Sequence, residues 1–197
     1  QQNTSKLFST PGVKNINLRV VTTEGCVADT IKPVTIFAKP TNTFTQNRSS
    51  GCVGTTVNFT STASYGGPAA IGSYWWDFGD GITQTTATAT ISHTYSTPGL
   101  YVVKHVAGVS TSCLSDTGRL TPGIRIFTQP SSTFTYPAGC LPANGIVQFN
   151  TMASAPDGQT PFTHQWNFGD PNATAGNPNT STAANPLHTY TAAGNYT

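Results

Sequence analysis

This sequence predicts an all-β chain built from tandem sandwich repeats, and three observations carry that prediction. The composition favours short strands and turns. Apolar residues alternate with a period of two, and whole motifs return at one long, nearly constant spacing.

Of the 197 residues 36% are hydrophobic and only 8% are charged, against about 25% charged in ordinary soluble domains. Thr, Ser, Asn, Gly and Pro make up the difference. Thr and the aromatics suit a pleated, half-buried surface, while Gly, Pro and Asn supply turns. Aromatics reach 10%, which argues against disorder, where aromatics are few. Nine basic and seven acidic residues are scattered to a net charge of +2, so no cluster offers a footprint for nucleic acid. No apolar run approaches the roughly 20 residues of a membrane helix. The opening Gln1-Gln2-Asn3-Thr4 lacks the charged and apolar regions of a signal peptide, and the true N-terminus is expected upstream.

The alternation is plain in the middle of the chain. Val57 and Phe59 alternate with Asn58 and Thr60, and Tyr74, Trp76 and Phe78 with Trp75 and Asp77. Tyr101, Val103, His105 and Ala107 form a further face. Such patterns mark strands with one side in a core. Thr97-Pro98-Gly99-Leu100 suits a type II turn, with Pro fixing φ and Gly accepting φ > 0. Gly79-Asp80-Gly81 suits a tight turn after the strand that carries Trp76. Strands separated by such turns point to a sandwich.

Internal repetition sets the domain organisation. Ser9-Thr10-Pro11-Gly12 returns 87 residues later as Ser96-Thr97-Pro98-Gly99, and Cys26 returns as Cys113. Trp76-Asp77-Phe78-Gly79-Asp80 returns 90 residues later as Trp166-Asn167-Phe168-Gly169-Asp170. His93-Thr94-Tyr95 returns as His188-Thr189-Tyr190, Thr43-Phe44-Thr45 as Thr133-Phe134-Thr135, and Cys52 as Cys140. The expected division is the closing part of one repeat over 1–37, a complete repeat over 38–128, and the opening part of a third over 129–197. Both ends are expected to fall inside a repeat, making the chain a segment of a longer array.

Tyr74-Trp75-Trp76-Asp77-Phe78-Gly79-Asp80-Gly81, followed by His93-Thr94-Tyr95 and Pro98-Gly99-Leu100-Tyr101, closely resembles the polycystic kidney disease (PKD) domain family. The second repeat matches throughout. The third departs at Asn167, where the family has Asp, at Pro171, where it has Gly, and at Ala192-Ala193-Gly194. The resemblance implies tandem Ig-like sandwiches of seven strands, an extracellular setting, and a role as spacer, adhesin stalk or accessory module of a secreted hydrolase. With Gly-Cys near each second strand, the array is also similar to repeats on cell-surface adhesins of gliding Bacteroidetes.

The candidate residues sort by position. Phe59, Trp76, Phe78, Tyr101, Val103, Phe149, Trp166 and Phe168 are expected in the cores. Gly79, Asp80, Gly81, Gly169 and Asp170 are expected in turns, with each Asp accepting backbone N–H bonds. Calcium is the functional rival for Asp77, Asp80 and Asp170, since it takes oxygen ligands. One turn supplies too few ligands, however, and Asn167 breaks the repeat, so no metal or other cofactor is expected. His93 and His188 repeat and are read as structural, closing a turn by a hydrogen bond. His105 is read as a core residue with its hydrogen bond satisfied. Trp75 points away from the core and covers sheet surface. No Ser or Cys is placed with a His and an acid as a nucleophile, and no phosphate loop follows a strand. The chain is expected not to be an enzyme.

Cys26, Cys52, Cys113 and Cys140 lack the close pairs of a zinc site and are expected in disulfides. In an Ig-like sandwich, as the resemblance implies, the loop holding Cys52 and Cys140 and the turn holding Cys26 and Cys113 lie at opposite ends. All four are therefore expected to bond cysteines of neighbouring repeats outside the segment; a Cys52–Cys113 bond within one repeat is the alternative. Sequons such as Asn47-Arg48-Ser49 and Asn58-Phe59-Thr60 are expected by chance in so Asn- and Thr-rich a chain.

The function expected is structural or adhesive: part of a repeat-built stalk or filament of a cell-surface protein. Its partners would be neighbouring repeats, other copies in a filament, or surface glycans, with no nucleic acid and no membrane insertion. The alternative is an accessory binding or spacer module beside a secreted protease or polysaccharide hydrolase.

Overall fold

In the computed structural model, which describes residues 4–197, every regular element is a strand. Contacts divide the chain into one unit ending at Ile126 and a second spanning Phe127–Thr197.

Unit 1 opens on a hairpin of β1 (Gly12–Val21) and β2 (Val27–Ile36), paired without interruption from Gly12↔Ile36 to Val21↔Val27. The sandwich follows, from β3 (Phe44–Gln46), β4 (Ser50–Cys52), β5 (Thr56–Ser61), β6 (Ser73–Asp77) and β7 (Thr83–Thr86) through β8 (Thr90–Thr94), β9 (Gly99–Tyr101) and β10 (Lys104–Ser110) to β11 (Cys113–Leu114), β12 (Gly118–Arg119) and β13 (Ile124–Phe127). One sheet runs β3-β5-β8. The other runs β7-β6-β10, with β11 and β12 both on the far edge of β10. A third sheet runs β4-β13-β9.

Period-two burial explains the packing. Along β5 every second residue is buried, so Val57 and Phe59 face inward while Thr56, Asn58 and Thr60 face water. The outward residues pair across strands: the hydroxyls of Thr56 and Thr94 lie 2.8 Å apart, and Ser92 donates to Asn58 at 2.8 Å. Cross-strand pairs of this kind contribute about 0.2–1 kcal/mol each. Inside, Val57, Phe59, Trp76, Phe78, Tyr95, Tyr101, Val103, Ile124 and Ile126 form one core. Trp76 sits at its centre, edge-on to Phe44 at 5.3 Å and 4.1 Å from the His105 ring.

Gly99 departs from the turn expected of Thr97-Pro98-Gly99-Leu100. It has no positive φ and begins β9 opposite Ile126. It is glycine for want of room: a Cβ there would lie 3.0 Å from the Tyr101 ring and hydroxyl, which Thr97 holds in place by hydrogen bonds of 2.8 Å. Cys52 also departs from its expected loop position, since it closes the edge strand β4.

Unit 2 repeats the first half of this plan. Its strands are β14 (Phe134–Thr135), β15 (Ile146–Gln148), β16 (Asn150–Thr151), β17 (Trp166–Asn167), β18 (Thr180–Ser181) and β19 (Leu187–Thr189), paired β14-β16, β15-β19 and β17-β18. Phe149, Phe168 and Tyr190 form the buried core, with Val147, Trp166 and Tyr196 packed against it. Trp166, expected inside like Trp76, is only half-buried. The reason is the neighbouring strand: β10 pairs beside β6 with His105 opposite Trp76, and among the described residues unit 2 has no counterpart of β10.

Candidate functional site: an aspartate–histidine turn built twice

Where β6 ends, the chain must turn tightly into β7, and two aspartates organise the turn. Asp77 Oδ1 accepts the Gly79 N–H at 2.9 Å, and Asp80 Oδ1 accepts the Ile82 N–H at 3.1 Å. Gly79 takes φ +84° and packs so closely that a Cβ would lie 2.9 Å from the Val102 carbonyl. A side chain there would meet both left-handed strain and a backbone clash.

The second oxygen of each aspartate reaches another strand. Asp77 Oδ2 accepts from Lys104 Nζ at 2.7 Å, which with the Gly79 bond holds this carboxyl below the usual aspartate range despite partial burial. Asp80 Oδ2 accepts from His93 Nε2 at 2.7 Å, joining the turn to β8. The His93 ring stacks on Phe78 at 4.0 Å and 3°, and Tyr95 meets its edge at 4.7 Å and 87°. The Tyr95 hydroxyl donates to the Phe78 carbonyl at 3.1 Å, and burial pushes its ionisation well above the usual range.

Unit 2 builds the same arrangement. Asp170 Oδ1 accepts the Asn172 N–H at 2.9 Å, and Asp170 Oδ2 accepts from His188 Nε2 at 3.0 Å. His188 stacks on Phe168 at 4.4 Å, Tyr190 meets it at 4.7 Å, and the Tyr190 hydroxyl donates to the Phe168 carbonyl at 2.9 Å. Asn167, the residue that departs from the motif, still caps the turn, because its Oδ1 accepts the Gly169 N–H at 3.0 Å. A neutral amide oxygen suffices there. The amide of Asn179 donates to that same oxygen at 3.0 Å, where Asp77 has a lysine to neutralise.

This arrangement is a lock with little access to substrate. His93 and Asp80 keep 10% and 14% of their side chains exposed, and His188 and Asp170 1% each. Both oxygens of Asp77, Asp80 and Asp170 already have protein partners. Among the described residues no three His, Cys, Asp or Glu side chains gather into a metal site.

Sequence reasoning missed Lys104, Asn42 and Asn179. Asn42 Nδ2 donates to the carbonyls of His105 and Asp116, and its Oδ1 meets His105 Nδ1. His105 is fully buried, its Nε2 has no protein partner, and burial pushes its pKa down to about 4. No signal in the sequence links residues so far apart along the chain. Trp75 is half-buried between Thr85 and Val106 of the flanking strands.

All four cysteines are free thiols, Cys26 and Cys140 exposed, Cys52 and Cys113 half-buried. Cys113 opens β11 opposite Ser110 of β10, while Cys52 closes β4 beside β13.

Fold and turn together define a non-helical, Ig-like sandwich module with two consecutive copies of one turn lock. The PKD-domain family model matches residues 37–118 and again 129–197, and the chain belongs to that family. Among solved structures it is similar to the PKD domain of an M14-like peptidase from a Thermoplasmatales archaeon (26% identity, 45% of this chain and 98% of that one, TM-score 0.39). It is also similar to a structure of promiscuous carbohydrate-binding modules of the β-sandwich superfamily (24%, 56% and 43%, TM-score 0.42) and to an amphioxus IgVJ-C2 molecule (19%, 58% and 60%, TM-score 0.35). The chain thus spans under half of the carbohydrate-binding structure. No curated protein matches.

Proposed function

We propose that the chain is an extracellular, non-catalytic spacer: a load-bearing segment of a repeat-built stalk or filament of a cell-surface protein. The observation that carries this reading is the duplicated lock. Two repeats spend their motif residues on the same inward-facing Asp–His–aromatic contact, which ties the turn to a neighbouring strand and leaves no carboxylate oxygen free for chemistry. Each repeat adds its own stability and a neighbour interface, so such an array lengthens without redesign. On the same reading Cys52 and Cys113 would staple neighbouring repeats through disulfides to cysteines outside this segment.

Single-molecule pulling on the intact protein tests the reading. Each repeat should unfold separately and release a contour length of about 300 Å, set by some 90 residues at roughly 3.4 Å each. A featureless extension would refute a load-bearing role. Hydrolysis or tight binding of a glycan by the purified chain would favour the accessory module instead.

A further inference from the structure

The two locks differ at one position that their shared geometry leaves unexplained. Asp80 is followed by Gly81 at φ +92°, an angle the proline ring forbids, yet Asp170 is followed by Pro171. Unit 2 therefore turns differently. The Asp170 carbonyl accepts the Ala173 N–H at 3.4 Å, giving a β-turn with Asp first and Pro second, each favoured at its place.

That turn contains the only Asp–Pro bond in the sequence, and its chemistry is particular. The side-chain carboxyl and the main-chain carbonyl of one aspartate close a five-membered ring, so the carboxylate is a nucleophile tethered to its own peptide bond. Pro171 has no N–H, so its nitrogen cannot attack the carboxyl to form a succinimide, as Gly81 can beside Asp80. It can only leave. Asp170 Oδ1 already lies back along this bond, accepting the Asn172 N–H at 2.9 Å, and Ala173 polarises the scissile carbonyl.

The lock opposes the attack. His188 Nε2 holds Oδ2 at 3.0 Å, both side chains are 1% exposed, and Asn179 Oδ1 accepts the Asp170 N–H at 2.8 Å. Unit 2 holds no Lys or Arg. His188 and Tyr190 are the ionisable groups that face this carboxyl, while Asp157 is bonded to Thr128 and Gln159.

We propose that Asp170–Pro171 is a latent self-cleavage site, held shut by His188 and cut when acid opens the turn. Protonating the carboxyl ends its acceptance of the His188 and Asn172 hydrogen bonds. The freed carboxyl oxygen bonds to the Asp170 carbonyl carbon, the carbon–nitrogen bond breaks, and the carboxyl proton passes to the departing Pro171 nitrogen. Water then opens the cyclic anhydride, leaving two carboxyls on Asp170 and a free amine on Pro171. The lock thereby guards the continuity of the chain as well as its fold. This goes beyond the stalk reading and stands whether or not that reading does.

Mass spectrometry of the whole chain, held at neutral and at acid pH with and without urea, tests it. The folded wild type should stay intact at neutral pH and yield fragments 1–170 and 171–197 in acid. His188→Ala should speed the folded-state cut roughly 10- to 100-fold, the range set by losing a hydrogen bond to a charged group. His93→Ala, the same change in unit 1, should leave it unaltered. In urea the wild type and His188→Ala should be cut at one rate, and Asp170→Ala and Pro171→Gly not at all. Comparing folded with urea-unfolded wild type at one acid pH needs no variant, so a misfolded His188→Ala leaves the test standing. The proposal is overturned by an uncut bond in acid, by a cut that Asp170→Ala retains, or by equal rates in folded and unfolded wild type.

Discussion

Replacing His93 by Ala tests the lock most directly. The substitution strips Asp80 Oδ2 of its 2.7 Å partner and uncovers the ring faces of Phe78 and Tyr95. Leaving one partner of a buried hydrogen bond unsatisfied costs about 1–3 kcal/mol. Asp80 retains 14% exposure and its bond from Ile82, so the expected loss is about 2 kcal/mol on that scale. Against a typical domain stability of about 5–15 kcal/mol, the loss is large. His93→Phe keeps the stack and removes only the hydrogen bond, so it separates the two contributions; aromatic pairs are worth about 0.5–1.5 kcal/mol each. Urea titration of the full chain in a Trp166→Phe background reads unit 1 alone, since Trp75 and Trp76 then supply the tryptophan emission. The double variant with Asp80→Ala should cost less than the sum of the singles by about 1–3 kcal/mol, as for residues in direct contact. Strict additivity, or a His93→Ala variant within about 0.5 kcal/mol of wild type, the range of an inert surface change, would refute the lock.

Three further outcomes are expected. Trp76→Ala should destabilise unit 1 by about 3–5 kcal/mol, as for other buried aromatics; an unchanged urea midpoint would remove Trp76 from the core. Stability should fall as pH drops from 6.5 towards 4, because the unfolded chain takes up a proton that buried His105, with its pKa of about 4, declines. A gap of about 2.5 pH units corresponds to roughly 3 kcal/mol, lost over that window and constant below it. His105→Leu, the residue that Leu18 supplies one repeat earlier, should flatten this part of the profile, and an unaltered slope would contradict the assignment. Non-reducing peptide mapping of the intact protein should link Cys52 and Cys113 to cysteines of other repeats; a Cys52–Cys113 peptide would refute the staple.

Much of the architecture was legible in the sequence because a strand side chain has only two directions to point. Alternation placed Phe59, Trp76, Phe78, Tyr101 and Val103 on one side each, and the 90-residue recurrence marked where the plan begins again. Glycines flanking Asp80 announced the turn, since few other residues tolerate its dihedral angles. What alternation cannot report is which strand lies opposite. The meeting of His93 with Asp80, of Lys104 with Asp77, and of His105 with Asn42 depends on strand register and loop length, set by the packing of the whole sandwich. Gly99 looked like a residue chosen for its dihedral freedom, and only the position of the Tyr101 ring shows that it is there for space. Trp166 carries the same local pattern as Trp76 and differs in exposure because burial belongs to the neighbours: β10 sets His105 beside one indole, and no described strand of unit 2 takes that place beside the other.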